Sequence, residues 1–154
     1  MSERLKPGRI APAGSAALGA LEVNVHACGL EGSLLELVKV RASQLNACAY
    51  CLDMHTKDAR ALGESEQRLY GLSAWREAPY YAPRERAALA WTEALTRVAD
   101  RDPSDELYLE LREHFGEKEA VDLSLAICVI NSWNRMAVAF RIPAGTHRPK
   151  PVAS

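Results

Sequence analysis

The sequence has little net charge and no concentrated basic segment. Its 154 residues carry 19 basic and 20 acidic side chains, so the formal net charge is -1. Nucleic-acid-binding surfaces carry a basic patch or stripe, and anionic membranes attract polybasic segments. We therefore expect neither nucleic acid nor a membrane surface among the partners of this protein.

Long apolar runs are also missing from the N-terminal region. The uncharged run from Ile10 to Leu21 is interrupted by Pro12, Gly14 and Gly19, and it is shorter than the roughly 20 residues needed to cross a bilayer. No signal-peptide core follows the first residues. The sequence predicts a soluble, cytoplasmic protein.

Cysteines are few, and only two of them are close in sequence. Cys48 and Cys51 form a pair, whereas Cys28 and Cys128 have no partner at short spacing. Structural disulfides are rare in the reducing cytoplasm, so a close pair there is more typical of catalysis or metal binding. Cys128 lies among aliphatic residues and is expected to be packed in the core.

Period-two alternation, the mark of a half-buried strand, is absent, and helical spacing of apolar residues dominates. Ser65, Pro83 and Ser104 are typical residues for helix starts, and residues 117–140 form a long, nearly uncharged helical segment. The sequence therefore predicts an all-α, compact single domain of about six to seven helices.

Proline and glycine are concentrated near both ends of the chain. We therefore predict an N-terminal arm over residues 1–13, a helical domain over residues 14–141 and a C-terminal tail over residues 142–154. The length fits one domain with a core of its own.

The most informative stretch contains Cys48, Cys51 and His55, on a predicted helix 47–62 with Asn46 as its N-cap. Residues three and four apart share one helical face. Both sulfurs would lie in the first turn, where free N–H groups and the helix dipole favour a thiolate. His55 lies within reach to exchange a proton with Cys51.

Three interpretations of this cluster remain open on the residues alone. The first is thiol redox chemistry, in which one sulfur reacts and the other resolves it. The second is a pair of buried cysteines that act as small hydrophobic residues beside a structural histidine. The third is a Cys/His metal-binding module, which needs a fourth ligand such as His26 or Cys28.

The match to a known pattern extends beyond the cysteines. Glu36 lies twelve residues before Cys48, which gives Glu-x11-Cys-x2-Cys-x3-His, with Cys51 and His55 as the last two members. This spacing resembles the active-site signature of the AhpD-like alkylhydroperoxidases in the carboxymuconolactone decarboxylase superfamily. The likeness spans about residues 21–143 and includes two further stretches, residues 85–96 and 131–135.

The resemblance implies an all-helical AhpD-like fold that assembles into homo-oligomers, often trimers or hexamers, with an antioxidant activity. It implies that Cys51 attacks a small organic hydroperoxide and that Cys48 resolves the product as a redox-active disulfide. His55 and Glu36 would form a proton relay. An external dithiol, a lipoyl protein or a thioredoxin-like partner, would act as reductant. No flavin, nicotinamide or metal is implied.

The chain departs from the resembled pattern at one position. The best-characterised members carry a histidine directly before the attacking cysteine, where this chain has Tyr50. The decarboxylase branch lacks the cysteine pair, which argues against that activity here. A non-catalytic oligomer that senses oxidation through Cys48 and Cys51 is the alternative function, beside the metal-binding module.

Glu36 itself has two interpretations. Lys39 follows one turn later, so the two side chains could form an exposed ion pair of little energetic value. The residues alone do not decide between an exposed ion pair and a role in the site. The spacing of the resembled family favours the role in the site.

Overall fold

Short caps and turns separate the helices of this chain, which we describe from a computed structural model over residues 2–149. In chain order the elements are α1 (Pro7–Ile10), α2 (Pro12–His26), α3 (Gly32–Leu45), α4 (Ala49–Ala61), α5 (Glu66–Gly71), a 3-10 turn (Leu72–Ala74), α6 (Pro83–Thr96), α7 (Asp105–His114) and α8 (Glu117–Phe140). No strand occurs in this part of the chain. The prediction of an all-α domain is therefore confirmed, and the seven helices longer than one turn agree with the predicted number.

The predicted helix starts correspond to local capping contacts. Ser65 Oγ accepts a hydrogen bond from the backbone N–H of Arg68 at 3.2 Å, and Ser104 Oγ accepts one from Leu107 at 3.3 Å. Each contact satisfies an N–H group that has no partner within the helix. Pro83 occupies the first position of α6, where its missing N–H costs nothing.

The chain ends are less regular than the domain between them. Within the predicted arm, Pro7–Ile10 form a helical turn and Pro12 begins α2. Residues 143–149 of the predicted tail contain no helix. Residues 150–154 of that tail, and residue 1 of the arm, lie outside the described residues, and the predicted domain boundaries stay predictions.

Helix α3 lies at the centre of the domain and packs against α4, α6 and α8. Leu35 and Val38 face one part of the core, and Leu37 and Val40 face another. The helix also buries a polar stripe at helical spacing, which consists of Glu36, Lys39 and Ser43. This stripe directs charged groups from the centre of the fold towards α2 and α4.

Helix α8 forms the other main wall of the core. By length and composition it could span a membrane, a test that the core helix of a soluble protein also passes. One side of α8, including Leu123, Ile127 and Ile130, is fully buried. Cys128 lies on the exposed side, so the expectation that it is packed in the core is wrong. A helix that is apolar on most sides does not reveal in its sequence which side faces the core.

Candidate active site

The connection between α3 and α4 places both cysteines. Asn46 ends α3 and Ala47 adopts a left-handed conformation with φ of 50°, so that Cys48, in extended conformation, becomes the N-cap of α4. The prediction of Asn46 as the N-cap is therefore wrong. The Asn46 side chain instead donates hydrogen bonds to Asn131 Oδ1 at 2.9 Å and Asn134 Oδ1 at 2.8 Å on α8.

Cys48 and Cys51 meet at the N-terminus of α4. Cys48 Sγ accepts a hydrogen bond from the backbone N–H of Cys51 at 3.3 Å, as a capping side chain does. The two Sγ atoms are at disulfide distance, and the Cα atoms are 5.4 Å apart. Each of the two residues is 1% exposed. The sulfurs thus lie where free N–H groups and the helix dipole stabilise a thiolate.

His55 and Glu36 form a buried pair beside the cysteines. His55 Nδ1 is 2.8 Å from Glu36 Oε2, and the two residues are 5% and 3% exposed. Burial opposes ionisation of Glu36, but the hydrogen bond and charge of His55, followed by those of Lys39, outweigh it and lower the pKa of the carboxyl group. An ionised carboxylate can only accept a hydrogen bond, so Nδ1 of His55 is the donor in this contact and Nε2 is the ring nitrogen left free for proton exchange. The interpretation of Glu36 as half of an exposed ion pair is therefore wrong.

A cavity of about 690 Å³ opens on one side of this pair. Cys51, His55 and Glu36 all line it, whereas Cys48 does not. Its other walls come from α2, α4, α8 and the segment after α8. The apolar part of the surface is formed mainly by Tyr50, Met54, Leu62, Trp133, Ala137 and Ile142. The structure thus brings the four predicted site residues together and places one sulfur, that of Cys51, at the cavity.

Three charged side chains near the cavity were not predicted as part of the site. Glu22 on α2 and Asp58 on α4 line the cavity, and Lys39 lies buried behind Glu36. The sequence signal available was the helical spacing of Glu36 and Lys39, and of His55 and Asp58. No local pattern links Glu22 to Lys39, because the two lie on different helices.

The structure does not bring together the ligands of a Cys/His metal-binding module. Among the described residues, the acidic, histidine and cysteine side chains that lie close enough together to share an ion are Glu36, His55 and Asp58, without either cysteine. Glu36 also has two partners already, His55 and Lys39. The predicted fourth ligands, His26 and Cys28, do not join this group.

The comparisons with known proteins agree with this fold. The model of the carboxymuconolactone decarboxylase family matches residues 12–94. The uncharacterized protein YdfG of Bacillus subtilis (strain 168) is 45% identical over 139 residues, which cover 90% of this chain and 95% of YdfG. Neither match by itself specifies a reaction.

Two solved structures are also similar. One is a protein of unknown function from Agrobacterium tumefaciens, described provisionally as an antioxidant defence protein AhpD. It has a TM-score of 0.91 and 41% identity to this chain, and the match covers 95% of this chain and 100% of that chain. An uncharacterized peroxidase-related protein from Silicibacter sp. TM1040 has a TM-score of 0.76 and 26% identity, over 85% of this chain and 70% of that chain.

Proposed function

The chain belongs to the carboxymuconolactone decarboxylase family, and from that premise we propose that it is a thiol-dependent alkylhydroperoxide reductase of the AhpD-like type. One observation carries the proposal. Cys51 lines the cavity together with the His55–Glu36 pair, and Cys48, which does not line the cavity, lies at disulfide distance from Cys51. This arrangement supports Cys51 as the attacking sulfur and Cys48 as the resolving one.

In the first step His55 Nε2 takes the proton of the Cys51 thiol, and the N-terminus of α4 stabilises the thiolate. The sulfur attacks the terminal oxygen of the hydroperoxide and the O–O bond breaks. The departing alkoxide takes the proton from His55 and leaves as an alcohol, while Cys51 becomes a sulfenic acid. Glu36 holds the imidazole in the tautomer that this transfer requires.

In the second step the sulfur of Cys48 attacks the sulfur of Cys51. The S–O bond breaks, the hydroxide leaves with the Cys48 proton as water, and a Cys48–Cys51 disulfide remains. An external dithiol, from a lipoyl protein or a thioredoxin-like partner, then reduces the disulfide by exchange. We propose that the protein works in the cytoplasm as a homo-oligomer, trimeric or hexameric, without a bound cofactor.

The cavity walls favour an uncharged, apolar hydroperoxide, because most of the lining is apolar and its anionic members, Glu22 and Asp58, would repel a carboxylate. Tyr50 lines the same cavity where the best-characterised relatives of the resembled type carry a histidine. His55 is then the imidazole that moves protons in this chain.

The test is a single turnover of fully reduced protein with one equivalent of cumene hydroperoxide, with peroxide loss and peptide masses followed together. The wild type should consume the peroxide and form the Cys48–Cys51 disulfide. Cys51→Ser should consume none, and Cys48→Ser should consume one equivalent and stop as a sulfenic acid that dimedone traps. Cys128→Ser, on the exposed side of α8, is the control and should behave as the wild type. Equal peroxide loss by Cys51→Ser and the wild type would refute the proposal.

A redox-sensing oligomer is the second candidate, and the position of the pair favours it. The loop that carries Cys48 is tied to α8 through Asn46, so oxidation of the pair acts on the packing of α4 against α8. Such a sensor forms the disulfide but does not cycle when dithiothreitol and hydroperoxide are both in excess. Oxidation of such a sensor should change its sedimentation coefficient. Repeated turnover of peroxide with no change in the mass of the assembly would exclude this function.

A further inference from the structure

A fully buried lysine lies beside the relay and takes no part in the steps above. Lys39 is 0% exposed, one helical turn after Glu36 on α3. Its ammonium group donates hydrogen bonds to Glu22 Oε1 at 2.6 Å and Glu36 Oε1 at 3.3 Å, and lies 3.0 Å from His26 Nε2. A buried ammonium is costly to keep unless it is paired and hydrogen-bonded. These contacts therefore make a defined site for one positive charge.

Two carboxylates, those of Glu22 and Glu36, meet the single ammonium group of Lys39 at this site. Burial opposes ionisation of Glu22, but the contacts of His26 and Lys39 lower the pKa of its carboxyl group to about 2. Glu22 and Glu36 are thus both anions at neutral pH, and Lys39 neutralises one of them. Lys39 therefore offsets the charge of the carboxylate that contacts His55, and its removal would make the surroundings of His55 more negative.

This matters because His55 has to accept a proton and then give it up. A base whose surroundings are too negative already carries a proton near neutral pH and cannot take the one from the Cys51 thiol. Glu22 in turn supplies the shortest contact of Lys39, from α2. Both side chains therefore act on the relay without touching the reacting atoms.

We propose that Lys39 is a positioning residue that sets the proton affinity of the His55–Glu36 relay, and that Glu22 holds Lys39 in place and partly offsets its charge. The catalytic part of this inference rests on the proposed function. The electrostatic part is a property of the folded chain and can be measured without any peroxide.

The other ionisable groups near the relay come from α2, from α4 and from the segment after α8. Helix α2 contributes Glu22 and the half-exposed His26, and α4 contributes Tyr50 and Asp58. His147 Nε2, in the segment after α8, lies 2.7 Å from Asp58 Oδ1. Helix α8 itself adds no charged side chain to the described lining of the cavity. Differences between variants at Lys39 and Glu22 therefore report on these two charges, because the other groups are the same in each protein.

The experiment follows the protonation of His55 by NMR, with ¹³C-labelled histidine and a His55→Gln variant for assignment. The protein is kept oxidised, so that neither Cys48 nor Cys51 titrates. Lys39→Met removes a nearby cation and should raise the titration midpoint of His55 by about one pH unit or more. Glu22→Gln removes a nearby anion and should lower the midpoint by about half a unit.

The double variant Lys39→Met/Glu22→Gln restores the charge balance and should return the midpoint to within about half a unit of the wild type. If the two residues had only a structural role, the effects of the two substitutions would add. The His55 midpoint of the double variant would then differ from the wild type by more than that of either single variant. Arg41→Met is the matched control, since Arg41 lies on the same helix and pairs with Glu93 at 2.7 Å. It should leave the His55 midpoint unchanged.

The proposal is overturned if Lys39→Met leaves the midpoint unchanged or lowers it, or if Glu22→Gln raises it. Should Lys39→Met fail to fold, Glu22→Gln and the double variant decide the question by the same signs. In the reduced protein, the pH profile of peroxide consumption should move with the midpoint. If the wild type consumes no peroxide but the His55 midpoints shift as expected, the proposed peroxidase function is refuted and the role of Lys39 is supported. If the wild type consumes peroxide but the midpoints do not shift, the peroxidase function is supported and the role of Lys39 is refuted.

Discussion

The partly buried carboxylate of Glu22 makes the free energy of unfolding depend on pH, and the size of the effect can be worked out. Hydrogen bonds and charge from His26 and Lys39 outweigh the cost of burial and lower the pKa of Glu22 from 4.5 to about 2. A carboxyl group with a lower pKa in the folded state stabilises that state above its unfolded pKa. The contribution is lost as the pH falls from about 4.5 through about 2.

The size of this contribution follows from the pKa difference. Each pKa unit corresponds to about 1.4 kcal/mol, so Glu22 adds about 3 kcal/mol to the free energy of unfolding at neutral pH. Its side chain is 22% exposed, so solvent screening removes only part of this amount. Glu36 acts in the same direction, because its pKa is lowered too. A contribution of this size is a large fraction of the stability of an ordinary domain.

The measurement is urea denaturation by far-ultraviolet circular dichroism, for the wild type and Glu22→Gln, from about pH 7 to about pH 2. Glu22→Gln should cost about 3 kcal/mol near neutrality and almost nothing at the acid end, where the wild-type carboxyl group is also becoming neutral. Protein concentration is held constant, because oligomerisation shifts apparent stability. Glu110→Gln, exposed on α7, is the control for removal of a surface charge.

The reasoning fails if Glu22→Gln costs the same free energy at both ends of the pH range. A constant cost would mean that the glutamine is a poor steric replacement and that the ionised carboxylate adds no stability. It also fails if Glu110→Gln reproduces the pH dependence of Glu22→Gln. That result would assign the effect to the net charge of the protein and not to the buried contact with Lys39.

Three further substitutions test other parts of the site. Glu36→Gln removes the carboxylate that orients His55 and should slow peroxide consumption by about 100-fold or more, with an unchanged rate contradicting the relay. Asn46→Ala removes the donor to two buried amide oxygens on α8 and should lower the free energy of unfolding, measured by urea denaturation, by about 1–3 kcal/mol. A loss near zero would mean that the contact to α8 is unimportant for stability. Ala47→Gly should stabilise the protein by up to about 1 kcal/mol. The strain of an alanine in the left-handed conformation is larger than the extra conformational entropy that a glycine loses on folding. A lower free energy of unfolding for the variant would refute this argument.

Local signals explain which parts of the fold could be predicted from the sequence. The start of α6 at Pro83 and the shared face of Cys51 and His55 depend on residues within one or two helical turns of each other. Such relations are written directly in the spacing of the sequence. The position of α8 over residues 117–140 was likewise evident from its length and apolar composition.

The features that could not be predicted depend on contacts between distant helices. Asn46 is a good N-cap residue by type, but its amide group is used by Asn131 and Asn134, more than 80 residues later in the chain. Lys39 is charged and would be expected at the surface, but Glu22 on α2 makes its burial possible. The same cluster decides the position of Glu36, which the sequence left open between the surface and the site.

The N-cap of α4 also explains how one short motif gives its two cysteines different positions. An N-cap side chain folds back towards the N–H groups of the first turn, and Cys48 Sγ therefore approaches Cys51, the third residue of the helix. Cys51 itself projects from the helix on the face that His55 shares, towards the cavity. Serine is an even better N-cap than cysteine, so Cys48→Ser removes the thiol and keeps the cap. Cys48→Ala removes both and should lose about 1 kcal/mol of stability as well, so a comparison of the two variants separates the redox role of Cys48 from its part in starting the helix.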